Sequence, residues 1–360
     1  MIKLAGLFLF LIIIQIADAQ SNKEKALNNV KQALVLEDKG KLDEAIKFLE
    51  EARGFDPETV TISYELAIAY YSKGDYEKAK TLLESLLTRK DMFGTIYQVL
   101  GNCYDKLGKP EKAIETYESG LKKFPNTAEL YLELGTMHLS KKEYDKALES
   151  YEKGIETNPA FPSNYYWAAK IFCNSDEALW GMIYGEIFLN LERNSKRTDE
   201  ISKLLYDTYK KHIRFPRDSG YVVSFSKTGI AAIFDNSHKD KSKITFAKGA
   251  YEPTLMLALI NEKTVDINSL CRVRKYFIES YFKNGLYLKY PNMLFDFQYR
   301  VLKAGHIDAY NHWVIYKGDE AGCNNWITAN RQKWDSFMKW FTKNLLLPDK
   351  NYKFYRGQYE

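Results

Sequence analysis

A repeat of 34 residues constrains the fold of this chain more than any other feature of its sequence. Its markers are four alanines, small residues twelve positions before them, prolines or an aspartate twelve positions after them, and glycines or a lysine between. They are Ala45, Ala79, Ala113 and Ala147; Ala33, Ala67, Gly101 and Gly135; Pro57, Asp91, Pro125 and Pro159; and Gly40, Gly74, Gly108 and Lys142. Small residues let two antiparallel helices approach closely, glycine permits a tight turn, and proline ends a helix. A period of this length predicts an array of stacked helix pairs.

The third and fourth units resemble the tetratricopeptide repeat (TPR) family most closely. The third unit carries Tyr97, Leu100, Gly101, Tyr104, Ala113, Tyr117, Gly120 and Pro125, and the fourth carries Tyr131, Leu134, Gly135, His138, Ala147, Tyr151, Gly154 and Pro159. The resemblance covers clear repeats at 26–59, 60–93, 94–127 and 128–161, and a degenerate fifth at 162–194. In the fifth, Gly181 and Gly185 replace the usual alanine and aromatic residue. The resemblance implies a right-handed α-superhelix with a concave face that binds protein.

In TPR folds the first helix of each pair lines the concave face. By position, the predicted groove residues are Tyr64, Ile68, Tyr71, Gln98, Asn102, Asp105, Leu132, Thr136, Leu139, Tyr166, Lys170 and Asn174. TPR proteins that hold a terminal carboxylate use lysine, arginine and asparagine at places where this chain has Val30, Leu34, Val99, Glu129 and Glu133. The resemblance therefore implies no carboxylate clamp. The mixed aromatic and amide face suits an extended or helical segment of a protein.

The first 19 residues are predicted to be a signal peptide. Lys3 is followed by the apolar run Leu4–Ile16 and by the small-x-small sequence Ala17-Asp18-Ala19. The apolar run is short for a membrane-spanning helix, which needs about 20 residues. An uncleaved anchor is the alternative. Stretches such as 180–198 and 305–313 are also similar to exported TPR proteins of Bacteroidota-type bacteria. We expect an exported protein of the periplasm or cell envelope, with no transmembrane span after cleavage.

Charge is unevenly distributed along the chain. Residues 1–199 contain 26 Lys+Arg against 31 Asp+Glu, and residues 200–360 contain 26 against 16. The basic residues of the second half do not form a dense run. Their excess over acidic residues is therefore interpreted as a solvated surface rather than a binding patch. Nucleic acid is not an expected partner, because an exported chain without a recognisable nucleic-acid motif is a poor candidate for such binding.

A second region follows the repeats. A capping helix is predicted at 198–214, with Ile201, Leu204, Leu205 and Tyr209 on its apolar stripe, to cover the last repeat and pack against the C-terminal domain. Residues 215–220 are interpreted as a boundary. Residues 220–345 are predicted to form a mainly α domain with a small β element, and residues 346–360 a tail. The expected strands are Tyr221–Ser226 and Ile244–Phe246, separated by a polar loop at 236–242. Two helices are expected from their apolar stripes, which are Leu270, Val273, Phe277 and Tyr281 in the first and Leu294, Phe297, Val301 and Leu302 in the second. Three short helices are expected at 307–316, 320–329 and 332–343.

No catalytic motif is present, and no catalytic residue, metal or cofactor is expected. The nearest candidate is His306, Asp308 and His312, in which Asp308 and His312 share one helical face at a spacing that could hold a metal. Two ligands are not a site, so packing roles are favoured for both histidines. Of the four cysteines, Cys103 and Cys173 are too far apart in the array to bond. Cys271 and Cys323 could form a disulfide or remain free.

Two functions from different classes fit these observations. The first is a non-catalytic scaffold of the bacterial cell envelope, which binds a partner polypeptide in the TPR groove. The alternative is that the C-terminal domain is an enzyme or a glycan-binding module positioned by the repeats. It rests on the His306–His312 motif and on an aromatic cluster that is more often simply a core. That cluster comprises Trp313, Trp326, Trp334, Phe337, Trp340 and Phe341.

Overall fold

Helices make up nearly all of the regular structure. The computed structural model describes residues 2–216, 220–227 and 245–359, with side chains from Gln20 onward. Within these ranges lie eighteen α-helices and one two-stranded antiparallel sheet. They form two compact units, Met1–Met137 and His138–Glu360, which we call unit 1 and unit 2. The predicted mainly α class is confirmed.

Unit 1 consists of consecutive antiparallel helix pairs. Its helices are α1 (Ile2–Asp38), α2 (Leu42–Phe55), α3 (Val60–Lys73), α4 (Tyr76–Leu86), α5 (Gly94–Lys106), α6 (Pro110–Lys123) and most of α7 (Ala128–Ser140). The alanines that mark the period are fully buried where helices pack. Gly40, Gly74 and Gly108 adopt φ angles of +72°, +90° and +72° in the turns between paired helices. The repeated alanines and glycines therefore meet a packing and a backbone requirement, respectively.

The first helix continues through the predicted signal segment. The backbone of α1 begins at Ile2, but the side chains of residues 2–19 lie outside the described part of the structure. The signal-peptide prediction therefore falls outside the described side chains. Within the described part of the chain, no helix combines the length and apolar character needed to cross a membrane.

Unit 2 begins with two further helix pairs and continues into a non-repetitive region. Its helices after α7 are α8 (Tyr144–Thr157), α9 (Pro162–Cys173), α10 (Ala178–Leu191), α11 (Lys196–His212), α12 (Glu252–Leu259), α13 (Ile267–Lys283), α14 (Leu286–Lys289), α15 (Met293–Lys303), α16 (Ile307–Val314), α17 (Glu320–Ala329) and α18 (Arg331–Lys343). Lys142, in the turn before α8, adopts a φ of +60°, the conformation that glycine provides in the earlier turns.

The degenerate fifth repeat is a helix pair with a specialised second helix. Every residue of α10 from Ala178 to Asn190 is buried. A helix that is apolar all round is covered on all sides, which explains why this repeat lost the amphipathic TPR pattern. A Cβ on Gly181 would lie 2.5 Å from the backbone nitrogen of Cys173, and one on Gly185 would lie 2.8 Å from Leu205. The two glycines therefore permit close approach of α9 and α11.

Helix α11 begins two residues earlier than the capping helix predicted at 198–214. Ser195 is its N-cap, and Ser195 and Thr198 exchange backbone and side-chain hydrogen bonds of 3.2 Å in a capping box. Thr198 is thus the reciprocal partner of the cap rather than the start of the helix. The stripe residues Ile201, Leu205 and Tyr209 are buried against the rest of unit 2, and Leu204 is half-buried.

The β element is smaller than predicted. β1 (Ile213–Arg214) pairs antiparallel with β2 (Val222–Val223). The expected strand at Tyr221–Ser226 is therefore limited to its two valines. The expected strand at Ile244–Phe246 is wrong for Phe246, which leads into a π-helical turn at Ala247–Tyr251. Three parts of the prediction lie outside the described residues, namely Ile244, residues 217–219 of the boundary and the loop at 236–242. The turn and α12 were missed by the sequence analysis.

The other C-terminal helices follow the predicted stripes. Leu270, Val273, Phe277 and Tyr281 on α13 are all buried, as are Leu294, Phe297 and Val301 on α15. Residues 346–359, predicted as a tail, pack onto unit 2. Phe354 is fully buried, the Trp180 and Phe354 rings are stacked at 6.3 Å, and Arg356 forms a 2.9 Å ion pair with Glu152 of α8.

Candidate protein-binding surfaces

The predicted groove residues fall in both units, so each set is described within its own unit. In unit 1 they lie on α3, α5 and α7. We call this surface the inner face; it comprises Tyr64, Ile68, Tyr71, Gln98, Asn102, Asp105, Leu132 and Thr136. Asp105 is exposed and the other seven are half-buried. All eight therefore retain surface that a partner could contact.

The amides of the inner face are already engaged within unit 1. Gln98 and Asn102 donate to the same carboxylate oxygen of Glu133, over 2.8 and 3.3 Å. The Tyr117 hydroxyl donates to the side-chain oxygen of Asn102. The hydroxyl of Thr136 donates to the carbonyl of Leu132 on its own helix. These groups organise the surface, and mainly its apolar and charged side chains remain available for other contacts.

Two tyrosines supply the aromatic part of the inner face. Tyr64 packs edge-on against Phe93 with ring centroids 4.9 Å apart, and Tyr71 packs likewise against Tyr76 at 5.3 Å. Burial raises the pKa of the Tyr64 hydroxyl, and the charges of Glu65 and Glu129 raise it further. Burial also raises the pKa of Tyr71 to about 12. Both side chains are thus neutral and held by neighbouring rings, as aromatic anchors at interfaces commonly are.

Unit 2 contains an open pocket that includes three of its four predicted groove residues. The pocket has a volume of about 510 Å³. We call it the α9 pocket; it is lined by Leu139, Tyr144, Asp145, Leu148, Trp167, Lys170, Ile171, Asn174 and Ser175. Its walls are mainly apolar, and its volume lies in the range of about 300–1,000 Å³ that is usual for ligand pockets. Four other lining residues, Tyr144, Leu148, Trp167 and Ile171, were not predicted from repeat position. The available sequence signal was that Trp167 directly follows the predicted Tyr166.

Lys170 lies at the polar edge of the α9 pocket. Its ammonium group is 2.6 Å from Glu200 and 5.0 Å from the centroid of the Trp167 ring. Asn174 uses its side-chain amide to donate to the carbonyl of Lys170 over 2.8 Å. The fourth predicted residue, Tyr166, does not line this pocket. It is 6% exposed, and its ring packs against Phe188 on α10.

The side chains of the His306–His312 motif do not converge, although the ring of His312 contacts the backbone carbonyl of Asp308 at 2.7 Å. His312 is buried, stacks on Trp326 at 4.1 Å and lies 3.4 Å from the sulfur of Cys271. His306 faces Trp340, and the carboxylate of Asp308 faces Lys275 instead. Burial lowers the pKa of both His306 and His312, which keeps the rings neutral. In the described chain no group of three His, Cys, Asp or Glu residues is arranged to hold a metal ion.

The cysteines and tryptophans of the C-terminal region are part of its packing. Cys271 and Cys323 are buried free thiols, as are Cys103 and Cys173. Phe337 and Phe341 are buried, whereas the four tryptophans are half-buried. Each indole packs against another ring: Trp313 on Phe341, Trp326 on His312, Trp334 on Phe337 and Trp340 on His306. The prediction of an aromatic core is therefore correct for the phenylalanines and only partly so for the tryptophans.

A buried ion pair between Arg274 and Glu186 lies in unit 2. Arg274 donates to both oxygens of Glu186 over 2.7 and 2.9 Å, and also to Tyr209 and Asn311. Burial lowers the pKa of Arg274, but the charge and hydrogen bonds of Glu186, together with Tyr209 and Tyr310, raise it by more, so this pKa lies well above its ordinary value. The adjoining cavity measures about 20 Å³, enough for a water molecule but not for an organic substrate.

Comparison with known families identifies the repeats. The tetratricopeptide repeat family matches residues 36–92 and 99–164. No curated protein matches the chain.

Several solved structures align with about half of the chain. A thermophilic TPR protein of Thermus thermophilus is 19% identical, with a TM-score of 0.44, and the alignment covers 50% of this chain and 98% of that one. MamA from Desulfovibrio magneticus RS-1 is 20% identical, with a TM-score of 0.36 and coverages of 48% and 97%. Pseudomonas aeruginosa pilF is 17% identical, with a TM-score of 0.45 and coverages of 53% and 86%. The chain thus contains tetratricopeptide repeats, at residues 36–92 and 99–164, the kind of helical array that commonly presents surfaces for binding other proteins.

Proposed function

We propose that this chain is a non-catalytic scaffold of the bacterial cell envelope, which binds a partner polypeptide through the inner face and the α9 pocket. The α9 pocket is the observation that carries the proposal. It is open and mainly apolar, and it contains Leu139, Lys170 and Asn174, which the repeat positions had singled out for partner binding. A concave apolar site with a few polar groups at its edge is the usual form of a binding pocket.

Trp167 is the expected anchor residue of this pocket. Its indole contributes a large rigid surface beside Leu148 and Ile171. Tryptophan is enriched among interface residues whose truncation costs the most binding energy. A large apolar side chain of the partner would fill the pocket, while its neighbouring backbone would reach Lys170 and Asn174.

The proposed localisation in the cell envelope is supported by the sequence of residues 1–19. Their short apolar run and small-x-small ending support export. The absence of any recognised catalytic motif in the sequence, and the separation of His306, Asp308 and His312 in unit 2, support a binding role over a catalytic one.

Replacing Trp167 with alanine is expected to weaken partner binding by about 30-fold, since interface hot spots contribute about 2 kcal/mol or more. A phage-displayed library of random peptides would be selected on the purified chain. A selected peptide would then be titrated calorimetrically against the wild type and Trp167→Ala.

Leu288→Ala is the matched control, because Leu288 is 77% exposed and lies outside the pocket. Its affinity should stay within about twofold of wild type, which is the expected range for a residue outside the hot spot. Thermal melts of both variants would show that the fold is retained. Failure to select any peptide, or equal binding by Trp167→Ala and wild type, would overturn the assignment of the pocket.

A further inference from the structure

The inner face of unit 1 carries an excess of negative charge. Asp105 belongs to the inner face, Glu65, Glu129 and Glu133 lie beside it on α3 and α7, and Glu37 and Asp38 occupy equivalent positions on α1. We call these six carboxylates the inner-face group. The same helix register provides two ammonium groups, Lys31 and Lys106. At these positions the first helices of the repeats thus present six carboxylates and two amines. Elsewhere on the first helices, and on the second helices of unit 1, charges of both signs occur.

These carboxylates lie close enough to influence one another and the tyrosines. Burial raises the pKa of Glu37, and the charges of Glu65 and Asp38 raise it further. Burial also raises the pKa of Glu65. Glu65 and Glu129 act in the same direction on the pKa of Tyr64. The negative charges therefore form a connected surface that extends across α1, α3 and α7, rather than isolated groups.

In the described part of unit 1, no internal cation pairs with this surface. The ion pairs there are Lys41–Glu44, Lys73–Asp43, Lys78–Asp75, Lys80–Glu77, Arg89–Glu58 and Arg89–Asp91, and none includes a carboxylate of the inner-face group. One oxygen of Glu37 is also buried without a hydrogen-bond partner. A partly buried carboxylate in this state gains free energy when a partner supplies a charge-assisted hydrogen bond.

Apolar surface is interspersed with the charges. Tyr64, Ile68, Tyr71 and Leu132 are half-buried on the inner face, and Leu34 on α1 is 42% exposed. A single metal ion does not fit this arrangement, because no three of the described His, Cys, Asp or Glu side chains are grouped to hold one. Carboxylates spread over four helices with apolar residues between them instead match an elongated partner that has both kinds of side chain.

We propose that the inner face of unit 1 selects a polypeptide segment in which lysine or arginine residues alternate with large apolar side chains. This inference rests on the proposed binding function and specifies the chemistry of the partner. The cations pair with Glu37, Glu65 and Glu129, and the apolar side chains pack on Tyr64 and Ile68.

Two phage-displayed peptide libraries test the proposal with the full chain as bait. Both consist of peptides of about 12 residues, one with lysine fixed at alternate positions and the other with glutamate there; like-charge contacts disfavour the second. A peptide enriched from the lysine library would be labelled, and its binding measured by fluorescence anisotropy. Enrichment is expected from the lysine library only. Binding should weaken by about tenfold or more between about 50 and 300 mM salt, because salt screens exposed charges.

Two triple variants with the same change in net charge separate a specific surface from general attraction. Glu37→Gln/Glu65→Gln/Glu129→Gln should weaken binding of the lysine-library peptide by about tenfold or more. The control variant, Glu111→Gln/Glu115→Gln/Glu118→Gln, removes three exposed carboxylates from α6 and should change it by about twofold or less. Equal loss in both variants would overturn the proposal, as would equal enrichment from the glutamate library. Enriched lysine-library peptides that bind the Glu37→Gln/Glu65→Gln/Glu129→Gln variant as tightly as wild type but lose affinity for Trp167→Ala would refute this inference alone. No enrichment from any library would refute the binding function itself.

Discussion

Replacing Arg274 with methionine is expected to lower the free energy of unfolding of unit 2 by about 3–5 kcal/mol, the usual cost of removing one partner of a buried ion pair. The side chains of Arg274 and Glu186 are 5% and 4% exposed, so water cannot replace the lost contacts. Gln298 and Tyr310 also donate to Glu186, but neither carries a positive charge to compensate the carboxylate. Urea unfolding followed by tryptophan fluorescence measures the change.

The double variant Arg274→Met/Glu186→Leu is the control for this prediction. It removes both charges and fills the space with apolar atoms, so most of the lost stability should return. A double variant that is less stable than Arg274→Met alone would show that the ion pair is not the source of the effect.

Replacing Phe354 with alanine is expected to destabilise unit 2 by about 3–5 kcal/mol, as for other fully buried phenylalanines. Phe354 is fully buried, and its ring contacts those of Trp180 and Tyr184 on α10. The variant would therefore leave a cavity beside the most buried helix of the unit. Chemical unfolding of the purified chain gives the difference in free energy.

Leu347→Ala is the control from the same segment, because Leu347 is 68% exposed. Its expected effect is within about 0.5 kcal/mol. If both variants had equally small effects, residues 346–359 would be a tail that adds no stability to unit 2.

The repeats were predictable because one packing requirement recurs along the chain. Ala45, Ala79 and Ala113 are each fully buried where two helices meet. The need for a small residue at this contact therefore repeats every 34 residues, and the repeat can be recognised from one sequence alone. Lys142 shows the same point at a turn. It occupies the glycine position and adopts the glycine-like φ, so the period identified its conformation although its residue type did not.

The parts that were missed lack such a pattern. Residues 247–259 combine a π-helical turn with a short helix whose apolar residues do not follow a single stripe. Phe354 is buried by individual ring contacts rather than by a periodic face. Glu186 and Arg274 are 88 residues apart, and charged residues in a single sequence are normally interpreted as solvated surface. Long-range contacts of this kind depend on tertiary structure and leave no local signal.

The residues of the candidate surfaces could be predicted only in part from the sequence. Repeat position identified Leu139, Lys170 and Asn174, which line the α9 pocket, but it also selected Tyr166, whose ring is buried against Phe188. Position within a repeat specifies which side of the first helix a residue occupies. It does not specify how far the next helix covers that side. In this repeat, α10 packs closely enough against α9 to bury the ring of Tyr166.

Site-specific photocrosslinking in cells tests the central claim most directly. A photoreactive amino acid would be placed at Ile68 on the inner face, at Ile171 in the α9 pocket, and at exposed Leu288 as the control. The account predicts a discrete crosslinked polypeptide in the envelope fraction from Ile68 and Ile171, and none from Leu288. The absence of a product from both Ile68 and Ile171, or the same products from all three positions, would contradict a scaffold that binds its partner through these surfaces.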